Sequence, residues 1–348
     1  MSFNRRKIYE KAKRKANTLF LNAIQHTPLQ FAAYKSYWNY RFHKESGISR
    51  KASGPVQYIA QKPNYSAGIG HQLANWNAGY YFSDYYQLNF AHFPFSSEKW
   101  EYLLGFGEDE TKATAILENK TIKKIKLPRF DCNKDLRLIG DIIASYKNIP
   151  AIFLLAQDQG YDRQCDTFTS LSKKFFSAPS RKDDKLFYRP GNFNIAIHIR
   201  RGDVADMKAN NDANWKQRWL NNGYYASVLN RVFNAFEVNN NVQIYLFSQG
   251  RREDFPEFAK FDNLHYCLDV NAYDSFTHMA YSDLLISSKS SFSYKPALLS
   301  KGIKICPADF WHSYPADGSF IQAENDGVFN DEQFAEALKN KYRSFING

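Results

Sequence analysis

Cysteine is scarce in this 348-residue chain: Cys132, Cys165, Cys267 and Cys306 stand far apart and form no Cys-x-x-Cys pair. That spacing excludes a zinc ribbon and a disulfide framework. It suits a reducing compartment, with each thiol a small buried hydrophobe. Asp-x-Asp and His-x-x-x-His are missing as well, so no ligand pair sits at metal-binding spacing and no metal is expected. No apolar run reaches the roughly 18 residues a bilayer span needs. No apolar segment with a small-residue cleavage site marks a secretory signal either. Internal repeats are absent. What the chain does have is 44% hydrophobic and 17% aromatic residues, enough for two ordinary cores, which excludes global disorder.

The net charge of +11 is unevenly placed. Residues 1–50 hold 11 Lys/Arg against two Asp/Glu, a balance of +9, which leaves the rest nearly neutral at +2. The body is therefore not a basic nucleic-acid surface, and no nucleic-acid partner is expected. The arm carries Arg5, Arg6, Lys7, Lys11, Lys13, Arg14 and Lys15. Ile8, Ala12, Ala16, Leu19, Ala23 and Ile24 follow at three- and four-residue spacing. This pattern predicts a basic helix with an apolar stripe, ended or kinked at Pro28. Such a helix lies on an anionic membrane or packs on the protein's own body. The first reading makes residues 1–45 a membrane-surface contact and the protein cytoplasmic, peripheral on the inner membrane face.

Residues 45–67 are polar and turn-rich and read as a connection. Strands are expected at 87–92 and 122–127, a helix over 135–146, and a buried strand or a short helix over the apolar run 151–156. A Pro/Lys/Asp/Gly-rich stretch, 178–192, suits a linker. Beyond it strands at 195–199, 243–248, 264–268, 284–288 and 303–306 alternate with helices over 214–236 (broken near Asn221-Asn222-Gly223), 272–282 and 291–299. The second of those strands ends at Ser248 and the fourth opens into Lys289-Ser290-Ser291-Phe292-Ser293. Alternation of this kind implies a parallel sheet of Rossmann type. The expected division is an arm over 1–50, α/β domains over 51–190 and 191–330, and a C-terminal helix over 331–348.

The central strand runs into His198-Ile199-Arg200-Arg201-Gly202-Asp203. Two arginines at the carboxyl end of a parallel strand suit a phosphate or diphosphate, because planar guanidinium groups grip such oxygens bidentately. The plain alternative is two solvated arginines. Gly68-Ile69-Gly70-His71-Gln72 opens a helix, and its glycines let backbone N–H groups approach an anion or a sugar, or simply make a turn. Ser290 and Ser291 start a helix, where serine is either an N-cap or a phosphate ligand.

Taken in order, His-x-Arg-Arg-x-Asp, Phe247-Ser248 and Ser290-Ser291-Phe292-Ser293 resemble the motifs of the fucosyltransferase superfamily, the α1,2-, α1,6- and protein O-fucosyltransferases. The glycine loop is similar to that family's Gly-x-Gly-Asn-Gln, with His71 where Asn is usual. The resemblance covers roughly residues 68–300. It implies an α/β GT-B-like fold, two Rossmann-type domains facing across a cleft, the first on the acceptor side and the second binding the nucleotide sugar. It implies an inverting, metal-independent transfer of L-fucose from GDP-fucose to a glycan hydroxyl, with no cofactor beyond that donor. Arg200 then contacts the β-phosphate, Arg201 supports it, His198 faces the nucleotide, and Ser248, Ser290, Ser291, Phe292 and Ser293 join Gly70, His71 and Gln72 around the donor. Asp203 or Asp206 takes the acceptor proton, unless it pairs with an arginine. The expected setting is bacterial surface-polysaccharide assembly on a glycan acceptor, free or lipid-linked. A different nucleotide sugar is the near alternative, and a non-catalytic binder of anionic polymer or membrane is the distant one.

Overall fold

The computed structural model describes residues 19, 23–24, 27, 29–43, 55–160, 162–209, 215–235 and 241–346. Most of the expected arm helix lies outside these residues. The chain groups into two compact units, one of Met1–Asn64, Ala74–Pro94 and Glu110–Tyr161, the other of Tyr65–Leu73, Phe95–Asp109 and Asp162–Gly348.

The first unit is built on a parallel sheet of β1 (Gln57–Ala60), β2 (Asn89–His92), β3 (Thr111–Lys112), β4 (Lys123–Lys126) and β5 (Ala151–Leu154), in the order β3-β2-β1-β5-β4. The sequence placed β1 in a connection and passed over β3. β1 is only four residues long and lies beside turn-rich chain, and β3 is two exposed residues. One sheet face carries Ile59, Ile125 and Phe153 under Ala78, Phe82, Ile139 and Ile142. Ile139, Ile142 and Ile143 fall on one side of the helix Leu136–Ala144 because three- and four-residue steps return to the same face. The helix Lys35–Phe42, also unforeseen, is pinned inward by Ser36 Oγ donating to Lys126 O (2.7 Å) and Asn39 Nδ2 donating to Ser145 Oγ (2.9 Å). Its outer side shows Trp38 stacked on Phe42 with ring centroids 5.9 Å apart, 44% and 76% exposed.

The second unit holds β6 (Phe193–His198), β7 (Val242–Ser248), β8 (Leu264–Leu268), β9 (Leu284–Ile286), β10 (Ile303–Pro307) and β11 (Phe320–Ala323). All pair in parallel in the order β11-β10-β9-β6-β7-β8. That is the Rossmann order, read from the far edge. β6 is the first strand, and the order reverses between it and β9. Alternation places Phe193, Ile195 and Ile197 in one core layer and Ala196 in the other, with Tyr245, Phe247 and Leu285. Trimming Ile195 or Ile197 to Ala removes about 2–5 kcal/mol.

The helix expected over 214–236 occupies Asn222–Asn234. It starts at the Asn-Asn-Gly break because Asn221 caps it, its side chain accepting from Tyr224 N at 2.9 Å. The stretch 178–192 is fastened within this unit. Pro179–Asp183 forms a 3-10 turn, and Ser180 Oγ and Arg181 Nη2 both donate to Leu103 O. At the opposite rim from the carboxyl ends of the strands, the buried Asp283 accepts Asn194 N at 2.9 Å. Its other oxygen lies 3.3 Å from Lys341 Nζ, on the helix Asp331–Ile346.

Candidate active site

In an open α/β sheet the crevice at the strand-order reversal, outside the carboxyl ends, is where ligands bind. Here the loops after β6 and β9 flank that crevice. They carry His198–Asp203 and Ser287–Ser293.

The first loop turns sharply. Gly202 has φ +55°, the left-handed region that favours glycine, and it packs under the end of the Gln249 side chain. The turn sends the two arginines in different directions. Arg200, with a side chain 18% exposed, reaches Asp203 through Nη2–Oδ2 at 2.7 Å and Nε–Oδ1 at 3.4 Å. Arg201 points into the protein. Its Nη1 donates to Arg200 O (2.8 Å) and Leu220 O (3.2 Å), its Nη2 donates to Asn222 Oδ1 (2.5 Å), and its Cζ lies 4.0 Å over the Trp219 ring. Burial lowers its pKa, against the pull of Tyr225, Glu257 and Asp254. Arg201 thus braces the loop through its neighbours. Asp203 and Asp206 both lie in the first turn of the helix Asp203–Ala209, where carboxylates complement the exposed N–H groups. Asp203 is held by Arg200, whereas Asp206 is exposed and makes no ion pair among the described residues.

His198 Nδ1 lies 2.9 Å from Ser288 Oγ. Burial first, then the charges of Arg200 and Arg201, push its pKa down to about 3, so the ring is neutral at pH 7. Its Nε2 makes no hydrogen bond among the described residues. Ser248 Oγ donates to Ile199 O at 2.8 Å and ties the ends of β6 and β7 together.

The second loop is mostly turned inward. Lys289 Nζ donates to Asp309 Oδ2 and Asn325 Oδ1, both at 3.0 Å. Ser290 caps the helix Ser291–Leu299 by accepting Phe292 N at 3.2 Å. The fully buried Ser293 accepts Ser288 N at 3.2 Å. Ser291 is half-buried, its Oγ 3.2 Å from His312 Nε2, and the Phe292 ring lies 5.5 Å from that of His198.

The glycine loop belongs to this same unit and meets the serine loop directly. A Cβ on Gly70 would sit 2.6 Å from Ser291 C and O. Close approach is therefore the role of Gly70, and its target is protein backbone. The buried Gln72 is likewise engaged by the chain: Nε2 donates to Ala67 O and Ser96 Oγ, both at 2.8 Å, and Oε1 accepts Ser96 N at 2.9 Å. His71 is near enough for its charge to lower the pKa of His312.

At the crevice the structure thus gathers Arg200, His198, Phe292 and Ser291, with Gly70 and His71 alongside. Arg201, Gln72, Ser248, Ser290 and Ser293 act as internal fasteners. Sequence reasoning passed over Ser288, Trp219, Asn222 and His312. Ser288 could have been read from its place beside the serine run. The others come from distant chain and carry no local signal. Among the described residues no three His, Cys, Asp or Glu side chains gather as metal ligands do.

No protein-family model matches the chain, and no curated protein does. Solved structures do match. POFUT1 in complex with GDP-fucose is 12% identical, over 71% of this chain and 96% of that one, with a TM-score of 0.42. NodZ α-1,6-fucosyltransferase co-crystallized with GDP is 12% identical, over 79% and 97%, with a TM-score of 0.43. The fucosyltransferase NodZ from Bradyrhizobium is 10% identical, over 71% and 94%, with a TM-score of 0.41. The chain is similar in fold to these fucosyltransferases. Likeness at this level assigns no residue.

Proposed function

We propose that the protein is an inverting, metal-independent glycosyltransferase that moves L-fucose from GDP-fucose to a glycan hydroxyl, in the assembly of a bacterial surface polysaccharide. The observation that carries this reading is the half-buried Arg200 guanidinium, beside a neutral imidazole, at the strand-order reversal of a Rossmann sheet. The resemblance of the motifs to the fucosyltransferase superfamily supplies the donor. In the reaction the acceptor hydroxyl oxygen bonds to the anomeric carbon as the bond from that carbon to the β-phosphate oxygen breaks. The electron pair departs on GDP. Arg200 faces that growing charge, and a fixed cation already in place lowers the barrier most when the charge appears only in the transition state. Asp203 orients Arg200. That leaves Asp206, three residues past the motif, as the carboxylate for the acceptor proton.

Calorimetric titration with GDP, UDP and CDP tests the donor, followed by a nucleotide-release screen of nucleotide sugars. GDP should bind tightest; a clear preference for UDP would replace fucose with another sugar and keep the chemistry.

A membrane role for the arm is a second reading, favoured by the exposed Trp38–Phe42 pair next to a strongly basic segment. Aromatic rings at an interface and lysines over anionic lipid suit attachment to the cytoplasmic membrane face, close to a lipid-linked acceptor. Co-sedimentation with phosphatidylserine vesicles, lost in the W38A/F42A double variant, is the expected result. If deleting residues 1–45 abolished function while Arg200→Ala left it intact, the protein would be a binder and no transferase.

A further inference from the structure

Positive charge is scarce at the crevice once each ion is counted with its partner. Arg200 pairs with Asp203 at 2.7 Å, so from a few ångströms away that pair carries no net charge, although the guanidinium keeps further N–H groups to offer. Arg201 is turned inward, near Tyr225, Glu257 and Asp254. Lys289 is spent on Asp309 at 3.0 Å, and Lys295 is buried against Gln164. Burial above all holds His198 and His312 in the neutral form. Asp206 adds a negative charge to the same helix turn as Asp203. A diphosphate entering this crevice needs a cation that none of these residues supplies.

Arg218 supplies it. The segment 215–221 connects the helix Asp203–Ala209 to the helix Asn222–Asn234. It is fastened to the loop after β6 by Arg201, whose Nη1 donates to Leu220 O at 3.2 Å and whose Cζ lies 4.0 Å over the Trp219 ring. From there the Arg218 side chain reaches the loop after β10, its Cζ 5.9 Å from the centre of the Trp311 ring. Trp311 is 44% exposed and stands beside the serine loop: its Nε1 donates to His312 Nε2 at 3.1 Å, and Ser291 Oγ lies 3.2 Å from that same nitrogen. In the sheet β9 lies between β6 and β10, and all three run parallel. A contact from the β6 loop to the β10 loop therefore passes over the carboxyl end of β9, where the crevice opens. Arg218 is half-buried, and among the described residues its guanidinium has no acidic partner and no hydrogen bond. Lys216, two residues earlier, stands in open water. An aromatic ring attracts a guanidinium's charge but takes none of its hydrogen bonds, so the Arg218 donors stay available.

We propose that Arg218 is a diphosphate-binding residue, held over the Trp311 ring and unpaired until the ligand arrives. Arg200, set by Asp203, offers aligned donors; Arg218 offers the uncompensated charge that draws the anion in and grips it. This rests on the glycosyltransferase reading and adds to it a residue outside every motif of the sequence.

Calorimetry with inorganic pyrophosphate and with GDP, beside thermal unfolding, tests the contact. Arg218→Gln keeps a side chain over the ring and removes the charge. It should weaken both ligands ten- to a hundredfold, the usual worth of a hydrogen bond between charged groups, and leave the melting temperature unchanged. Arg218→Lys, which keeps the charge, should recover part of that affinity. A second measurement needs no variant: in the wild type, phenylglyoxal should modify Arg218, read by peptide mass spectrometry, and saturating pyrophosphate should protect it. Equal modification with and without bound pyrophosphate overturns the proposal. So does wild-type affinity in Arg218→Gln when Arg200→Ala has lost binding, and the glycosyltransferase reading then stands. If pyrophosphate binds through Arg218 but GDP binds no tighter, Arg218 keeps its role and the nucleotide-sugar reading falls. Wild-type protein that binds neither ligand removes both.

Discussion

The loops after β6 and β9 flank one crevice and read alike in the sequence, as clusters of phosphate-binding residue types, yet they are built oppositely. The loop after β6 commits one arginine to the interior and leaves the other at the crevice, paired with a carboxylate 58% exposed to water. The loop after β9 turns nearly all its polar side chains inward: Lys289 to Asp309, Ser290 to its own helix, Ser293 to Ser288. Residue type therefore does not distinguish a ligand contact from a brace. The supply of backbone groups nearby does, since buried N–H and C=O groups must find partners and take the nearest side chain that offers one.

That contrast can be broken at several points. Arg200→Ala should give the largest effect, a fall of about 10²–10³ in kcat, or about 3–4 kcal/mol of barrier, with little change in melting temperature. Turnover assays beside thermal unfolding check both halves. Arg201→Ala should act the other way round. It leaves Arg200 O, Leu220 O and Asn222 without their donor and should cost about 3 kcal/mol of stability, read by denaturant titration. If Arg201→Ala lowered kcat while stability held, the two arginines would share one role and the distinction would collapse. Gly70→Ala should cost about 1–3 kcal/mol by forcing the glycine loop off Ser291, and should weaken nucleotide binding with it. Ser248→Ala should be smallest, about 1 kcal/mol of stability with nucleotide affinity unchanged.

The neutral His198 gives a test in pH. Its pKa falls from about 6.5 unfolded to about 3 folded, so between those values the unfolded chain binds the extra proton. The resulting stability is complete above pH 6.5 and is lost as pH drops toward 3. Unfolding free energy of the wild type should decline through that window more steeply than that of His198→Gln. Ligand binding should show no step near pH 6.5 from this ring.

Much of the second unit was legible because Ile195, Ile197 and Ile199 alternate and turn residues punctuate the later strands. The parallel sheet follows from strand–helix alternation, while its strand order is set by the structure. The direction of Arg201 was not legible: it depends on Trp219, Leu220 and Asn222, some twenty residues on, and on the left-handed turn at Gly202. Gly70 was read as allowing close approach, and it does, toward Ser291 backbone. His312 lies 3.2 Å from Ser291 Oγ but about twenty residues along the chain, and Gln164 beside it comes from much earlier, with no periodicity to single either out. In the first unit β1 was hidden because four residues beside a polar stretch hold too little pattern to register.

Asp283 has a consequence for how this protein is made. Its carboxylate joins the starts of β6 and β9 and meets Lys341 from a helix that follows nearly fifty residues later. During synthesis the sheet rim exists before its cation does, and a buried negative charge awaiting its counter-ion is poorly tolerated. Completion of this half of the molecule is therefore timed by the emergence of residue 341 from the ribosome, and nascent chains stalled short of it should remain open to chaperones and proteases.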